Sequence, residues 1–216
     1  MPELDRNGPA SEGARKSGAI ASRLLLRAFG QPHGLLGWLG GRVMARMNRD
    51  ANHWVVDLLG IEAGTRVLEV GCGPGAGLAE AFARGVDFVC GVDPSKVMLN
   101  QAHVKNAAAV AEGRLVLRLA SADSLPVDDA AFDVAFAVNS VQVWPDPIAG
   151  LKEVRRCLRP GGRVALAFTS YAGPLPRGAG ALLEEAGFED SRLLERDKVR
   201  CTTARRPHEA GPPSLA

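Results

Sequence analysis

Apolar runs of four to seven residues alternate along the chain with amphipathic stretches, and each run ends in a polar or glycine-rich break. Val67-Leu68-Glu69-Val70 reads as a buried parallel strand that stops at Gly71-Cys72-Gly73-Pro74-Gly75, after which a helical pattern runs from about Ala76 to Arg84. Val86 to Val92 predicts a second strand closing at Asp93-Pro94, and Ser95 can cap a helix that continues to about Ala111 before Gly113. Arg114–Leu119, Phe132–Val138 and Arg163–Phe168 predict three more strands, with a helix over Pro147–Leu158 between the last two. Strand and helix alternate, which predicts an α/β, doubly wound, mostly parallel sheet with helices on both faces. The ending differs. A helix around Ala179–Ala186, stopped by Gly187, leads to Asp190–Glu195 and Lys198–Thr203, two segments suited to an antiparallel hairpin at the sheet edge.

Before the first strand the pattern is different again. Residues 1–17 are polar and read as a disordered tail. Ile20–Phe29 and Gly41–Leu59 carry helical patterns; on the second, Met44, Met47, Ala51, Trp54, Val55 and Leu58 share one side and Arg42, Arg46, Arg49 and His53 the other. The division expected is one domain over 18–206, comprising a helical cap (18–60) and an α/β core (65–206), with a flexible tail at 207–216. On that division, removal of residues 1–59 would leave ligand binding by the core largely intact and abolish turnover.

Length and charge narrow the class. With 216 residues, 46% of them hydrophobic, the chain can fill one core, and a net charge of +2 gives no general case for nucleic acid as partner. There is no run of 18 apolar residues and no signal-peptide pattern at the start, so a cytoplasmic protein without a transmembrane segment is expected. Cys72, Cys90, Cys157 and Cys201 show no ligand spacing; neither a disulfide nor a metal site is expected. The basic residues of the N-terminal helices allow peripheral contact with an anionic lipid surface or an acidic substrate, against the plainer reading of a solvated face. The sequence leaves the oligomeric state open.

Chemistry concentrates at the glycine turn. Glycines at 71, 73 and 75 permit positive φ and let a ligand lie against bare backbone and the first amides of the next helix. Gly71-x-Gly73-x-x-Ala76, with Asp93 22 residues after Gly71, satisfies the dinucleotide fingerprint of Rossmann folds, which makes a nicotinamide-dependent oxidoreductase one reading. Glu69 does not belong to that fingerprint, because a carboxylate inside a buried strand is costly without partners.

The stretch resembles the E-x-G-x-G-x-G motif of class I S-adenosylmethionine-dependent methyltransferases. The resemblance covers about residues 65–206, is closest to the small-molecule branch, and extends to Gly91-Val92-Asp93-Pro94-Ser95 with Met98, to Ala122-Asp123-Ser124-Leu125-Pro126 leading into Phe132-Asp133, and to Leu158-Arg159-Pro160-Gly161-Gly162-Arg163. It implies a Rossmann-like fold and S-adenosylmethionine as cofactor. It further implies that Gly71, Cys72, Gly73 and Gly75 form the cofactor turn, with Glu69 at the methionine end. Asp93, followed by Pro94, would take the ribose hydroxyls, and Asp123 the adenine amino group beside the Ala122 backbone. Met98 would pack on the adenine, and Asn139 would face the methionine portion or the substrate. The methyl acceptor would be a small, apolar or aromatic metabolite modified on O, N or C. His33 is the candidate base in the loop between the N-terminal helices, and Trp144 and Tyr171 are candidate walls of the acceptor pocket. A non-catalytic module that binds the cofactor and acts through a partner is a third reading.

Overall fold

The computed structural model describes residues 48–170, 172 and 177–208. His33, Tyr171, the tail over 1–17, most of the basic N-terminal stripe and residues 209–216 lie outside the described residues.

Seven strands form one sheet: β1 (Arg66–Val70), β2 (Phe88–Asp93), β3 (Leu115–Leu119), β4 (Phe132–Val138), β5 (Leu158–Thr169), β6 (Glu189–Arg196) and β7 (Val199–Arg205). Their order is β3-β2-β1-β4-β5-β7-β6. The first five are parallel, and β7 enters antiparallel between β5 and β6. The chain order reverses between β1 and β4, and in such sheets a crevice opens there at the carboxyl ends of the strands. The α/β, doubly wound, Rossmann-like sheet with a C-terminal antiparallel hairpin is the architecture expected from the alternating pattern.

The sheet separates two apolar layers. On one side α1 (Arg49–Leu58), α2 (Ala76–Phe82), α3 (Lys96–Lys105) and α4 (Ala107–Ala111) cover Val67, Val89, Val134, Phe136 and Ala165. On the other, α5 (Pro147–Cys157) and α6 (Ala179–Glu185) cover Leu68, Val70, Ala135 and Leu166. β1 shows why: Val67 and Leu68 point to opposite faces, and both are fully buried, as a central parallel strand requires.

Three sequence expectations are revised. The single helix expected from Ser95 to Ala111 is broken at Asn106 (φ −114°, ψ 30°), whose side-chain amide donates to the carbonyls of Ala102 and Gly75. Asn106 thus ties the helix end to the glycine turn. β5 starts within the Leu158-Arg159-Pro160-Gly161-Gly162 turn; its register with β4 jumps from Phe132↔Leu158 to Val134↔Arg163, a bulge that Gly161 permits at φ +75°. Finally, α1 is core rather than cap. Its Ala51, Val55 and Val56 are fully buried in the layer over β4 and β5, so a truncation at residue 59 would strip that layer. The His53 edge of the helix faces α2, where His53 meets Glu80 at 2.7 Å and Arg84 pairs with Asp57. Among the described residues no helix is long and apolar enough to cross a membrane.

Candidate active site

The glycine turn after β1 is held almost entirely by its own protein contacts. The amides of Gly71 and Cys72 donate to the Val92 carbonyl (2.7 and 3.0 Å), that of Gly73 to Asp93 Oδ2 (2.8 Å) and that of Gly75 to the Cys72 carbonyl (3.0 Å). Pro74 has no N–H. The Leu78 amide, in the first turn of α2, favours the charged form of Glu69. Between Gly71 and Gly75 every backbone N–H is thus spent on protein, so the amides expected to meet a ligand are those at the start of α2.

The glycines do different work. A Cβ on Gly71 (φ +76°) would lie 2.3 Å from Ser140 Cβ, and one on Gly75 (φ +76°) would lie 2.9 Å from Ala102 Cβ; both glycines serve close packing of protein on protein. A Cβ on Gly73 (φ +50°) would meet nothing within 4 Å. Gly73 is where the turn is open.

Two buried carboxylates lie near the turn, Asp93 on the Gly73 amide and Glu69 at the end of β1. Glu69 is 3% exposed and packs against Gly77, where a Cβ would lie 2.3 Å from Glu69 Oε1; its Oε2 has no hydrogen-bond partner. Burial, and then the negative charge of Asp93, push the Glu69 carboxyl well above the ordinary carboxylate range. Asp93 is 7% exposed, and burial raises it too, although the Ser95 and Gly73 amides favour its charged form. Among the described residues neither carboxylate makes an ion pair. Cys72 turns its Sγ towards Gly91, and burial together with the two neighbouring acids raises its thiol well above the usual range, which leaves it inert and protonated. Two buried acids with no cation beside them among the described residues, each favouring its protonated form until a positive charge arrives, fit a positively charged ligand.

That electrostatic state has a measurable consequence. A carboxyl whose folded pKa is raised contributes stability below its unfolded pKa and loses it as pH climbs through the folded value. The melting temperature of the unliganded parent should therefore fall relative to that of Glu69→Gln as pH increases from about 4.5, Glu69's ordinary value. Scanning calorimetry at several pH values checks this, and a parent that holds or gains melting temperature relative to Glu69→Gln as pH rises would contradict it.

The other expected site residues divide. Pro94 is exposed in the turn after β2, and Asp123 is exposed at the end of the β3 connection, next to buried Ala122. Met98 is buried in α3, its amide capped by Ser95 Oγ. Asn139, expected to face cofactor or substrate, spends its side chain on protein instead. Its Nδ2 donates to Asn48 Oδ1 (2.7 Å) and Thr169 Oγ1 (2.9 Å), while its Oδ1 accepts from the Thr169 amide (2.8 Å). At φ +52° it is a clasp joining the ends of β4 and β5 to the start of α1. Trp144 is 9% exposed, with its ring against Gly150 of α5, in the same apolar layer as Ala122. Sequence reasoning passed over Ser140, whose Oγ donates to the Val70 carbonyl at 2.8 Å, as well as Asn48 and Gln142. The sole signal was the polar cluster Asn139-Ser140 directly after an apolar strand.

The chain matches the methyltransferase-domain family over residues 68–166. It is 30% identical over 188 residues to YdaC, an uncharacterised methyltransferase of Bacillus subtilis, an alignment that takes in 78% of this chain and 98% of YdaC. The chain belongs to the class I S-adenosylmethionine-dependent methyltransferases. It is also 35% identical over 109 residues to the 27-O-demethylrifamycin SV methyltransferase of Amycolatopsis mediterranei, covering 50% of this chain but only 40% of that protein. In fold it resembles a SAM-dependent methyltransferase of Aquifex aeolicus, with a TM-score of 0.62 at 21% identity over 71% of this chain and 88% of the other. The enzyme is thus a methyltransferase whose cofactor is S-adenosylmethionine.

Proposed function

We propose that this methyltransferase modifies a small apolar or aromatic metabolite on O, N or C, with the cofactor held across the glycine turn. The observation that supports the cofactor side of this reading is the open face at Gly73, whose amide Asp93 holds, together with the buried Glu69 at the end of β1, whose Oε2 has no partner. Asp93 would accept hydrogen bonds from the two ribose hydroxyls with the lone pairs that Gly73 and Ser95 leave free. Glu69 Oε2 would take the cationic methionine end, and Asp123, with the Ala122 backbone and Met98, would serve the adenine. Gly71, Cys72 and Gly75 shape the turn through their backbone, and Pro94 directs the chain away from Asp93.

When bound, S-adenosylmethionine supplies a methyl group on a sulfonium, already joined to a good leaving group. The chain's contribution is therefore positioning and exclusion of water. β1 and β4 hold the turn at the carboxyl end of the sheet, and the Asn139 clasp sets α1 beside it. His33 as base and Tyr171 as a pocket wall remain part of the proposal, as does peripheral membrane contact through the basic N-terminal helices. The sequence similarity to a rifamycin methyltransferase is consistent with a metabolite as acceptor.

Calorimetric titration with S-adenosylhomocysteine and NADH tests the cofactor side: micromolar binding of the first and none of the second is expected. Incubation with methyl-labelled S-adenosylmethionine and a panel of small aromatic alcohols, amines and carbon acids tests the other side. Label in the organic-extractable products supports the reading, and label confined to protein or nucleic acid overturns it.

A further inference from the structure

Among the described residues, three buried side-chain polar atoms have no partner: Glu69 Oε2, Asn52 Oδ1 and Gln142 Oε1. All three are hydrogen-bond acceptors. An unpaired buried acceptor costs about 1–3 kcal/mol, so such a set points to a ligand that brings donors. Glu69 is claimed by the cofactor. The two amides are not.

Both amides border the Asn139 clasp. Gln142, in the short 3₁₀ turn Val141–Val143 after β4, donates its Nε2 to the Asn139 carbonyl at 2.9 Å. Asn48 accepts from Asn139 Nδ2, and Asn52 lies one helical turn further along the same face of α1, 4% exposed. Asn139 ends β4 at the same edge of the sheet as Gly71, over which its neighbour Ser140 packs. The orphaned amide oxygens therefore belong to the α1 and β4 side of the cofactor turn, away from Asp93 and Asp123 at the ends of β2 and β3.

We propose that Asn52 and Gln142 form a subsite for the methyl acceptor that selects a nucleophile carrying its own proton, a hydroxyl oxygen or an amine nitrogen. This rests on the small-molecule reading above and narrows its target atom by setting carbon aside. Neutral amide oxygens suit a neutral O–H or N–H, and a hydrogen bond made through that proton leaves the nucleophile's lone pair free for in-line attack. That lone pair forms the new bond to the methyl carbon while the carbon–sulfur bond breaks, its electron pair returning to sulfur and cancelling the sulfonium charge. The proton then leaves the methylated product for water, since an amide oxygen does not keep it. A carbon nucleophile offers neither oxygen a proton.

The test uses the full chain saturated with S-adenosylhomocysteine and titrated with 4-fluorophenol or 4-fluoroanisole, followed by fluorine NMR. The two probes differ by a proton against a methyl group. The phenol should bind about tenfold more tightly than the anisole. Asn52→Leu and Gln142→Leu should each cut that preference roughly three- to tenfold while holding S-adenosylhomocysteine affinity within about twofold. Equal binding of the probes to the unaltered protein overturns the proposal, as does failure of both to bind. A preference unchanged in the variants, or variants that lose S-adenosylhomocysteine affinity and keep the preference, also overturns it; in the latter case the amides serve the cofactor. If either variant does not fold, the preference measured on the unaltered protein decides. Failure of the unaltered protein to bind S-adenosylhomocysteine would instead sink the cofactor assignment itself.

Discussion

Asp93→Ala should weaken S-adenosylhomocysteine binding by about 2–4 kcal/mol, roughly 30- to 1,000-fold, as read by calorimetry. The carboxylate has two functions that alanine removes together. Its Oδ2 fastens the Gly73 amide at 2.8 Å and its Oδ1 the Ser95 amide at 2.9 Å, so it locks the glycine turn to the end of β2. Its remaining lone pairs lie at the carboxyl end of the strand, where a vicinal diol would pair with a carboxylate. Asp93→Asn separates the functions. One amide oxygen can still accept a backbone N–H, but the opposing NH2 faces a second donor, so an intermediate loss is expected. Undiminished affinity in Asp93→Ala would remove Asp93 from the cofactor site.

The glycine turn should divide under alanine substitution. Gly71→Ala places a Cβ 2.3 Å from Ser140 Cβ at a residue with φ +76°, so overpacking and backbone strain combine. Each costs about 1–3 kcal/mol, and their sum is a large share of a typical domain's stability. A strong drop in melting temperature follows, or failure to fold. Gly73→Ala meets nothing within 4 Å, so its stability cost should be confined to the positive φ, about 1 kcal/mol. The new methyl group would nevertheless occupy the open face of the turn. The expected result is a folded Gly73→Ala protein that has lost S-adenosylhomocysteine affinity by tenfold or more. Thermal melts paired with calorimetry on both variants check this. A Gly73→Ala protein that binds normally would place the cofactor elsewhere.

The sequence alone was enough for the order of strands and helices, the parallel core with its antiparallel ending, and the family. These follow from local period and from turn chemistry: Val67 to Val70 is apolar for burial on both faces, and Gly71-x-Gly73-x-Gly75 needs residues that accept positive φ. Glu69 was legible as an anomaly because a carboxylate has no other reason to interrupt a buried strand. Tertiary structure alone decided what each group does with its partners. Gly71, Gly73 and Gly75 look equivalent in sequence; whether a Cβ would meet Ser140, empty space or Ala102 depends on chains that arrive from up to about 70 residues away. Asn139 reads as a ligand because it ends β4, yet its amide is consumed by Asn48 and Thr169, 91 and 30 residues distant. The family resemblance puts helix α1 in a cap over the acceptor side, and its amphipathic pattern does not say whether the apolar side meets a substrate or the sheet. Nor does sequence show which buried amides go unpaired, because satisfaction of a polar group is a property of the whole fold. Local pattern sets the elements, and long-range packing decides which of their polar atoms are left for a ligand.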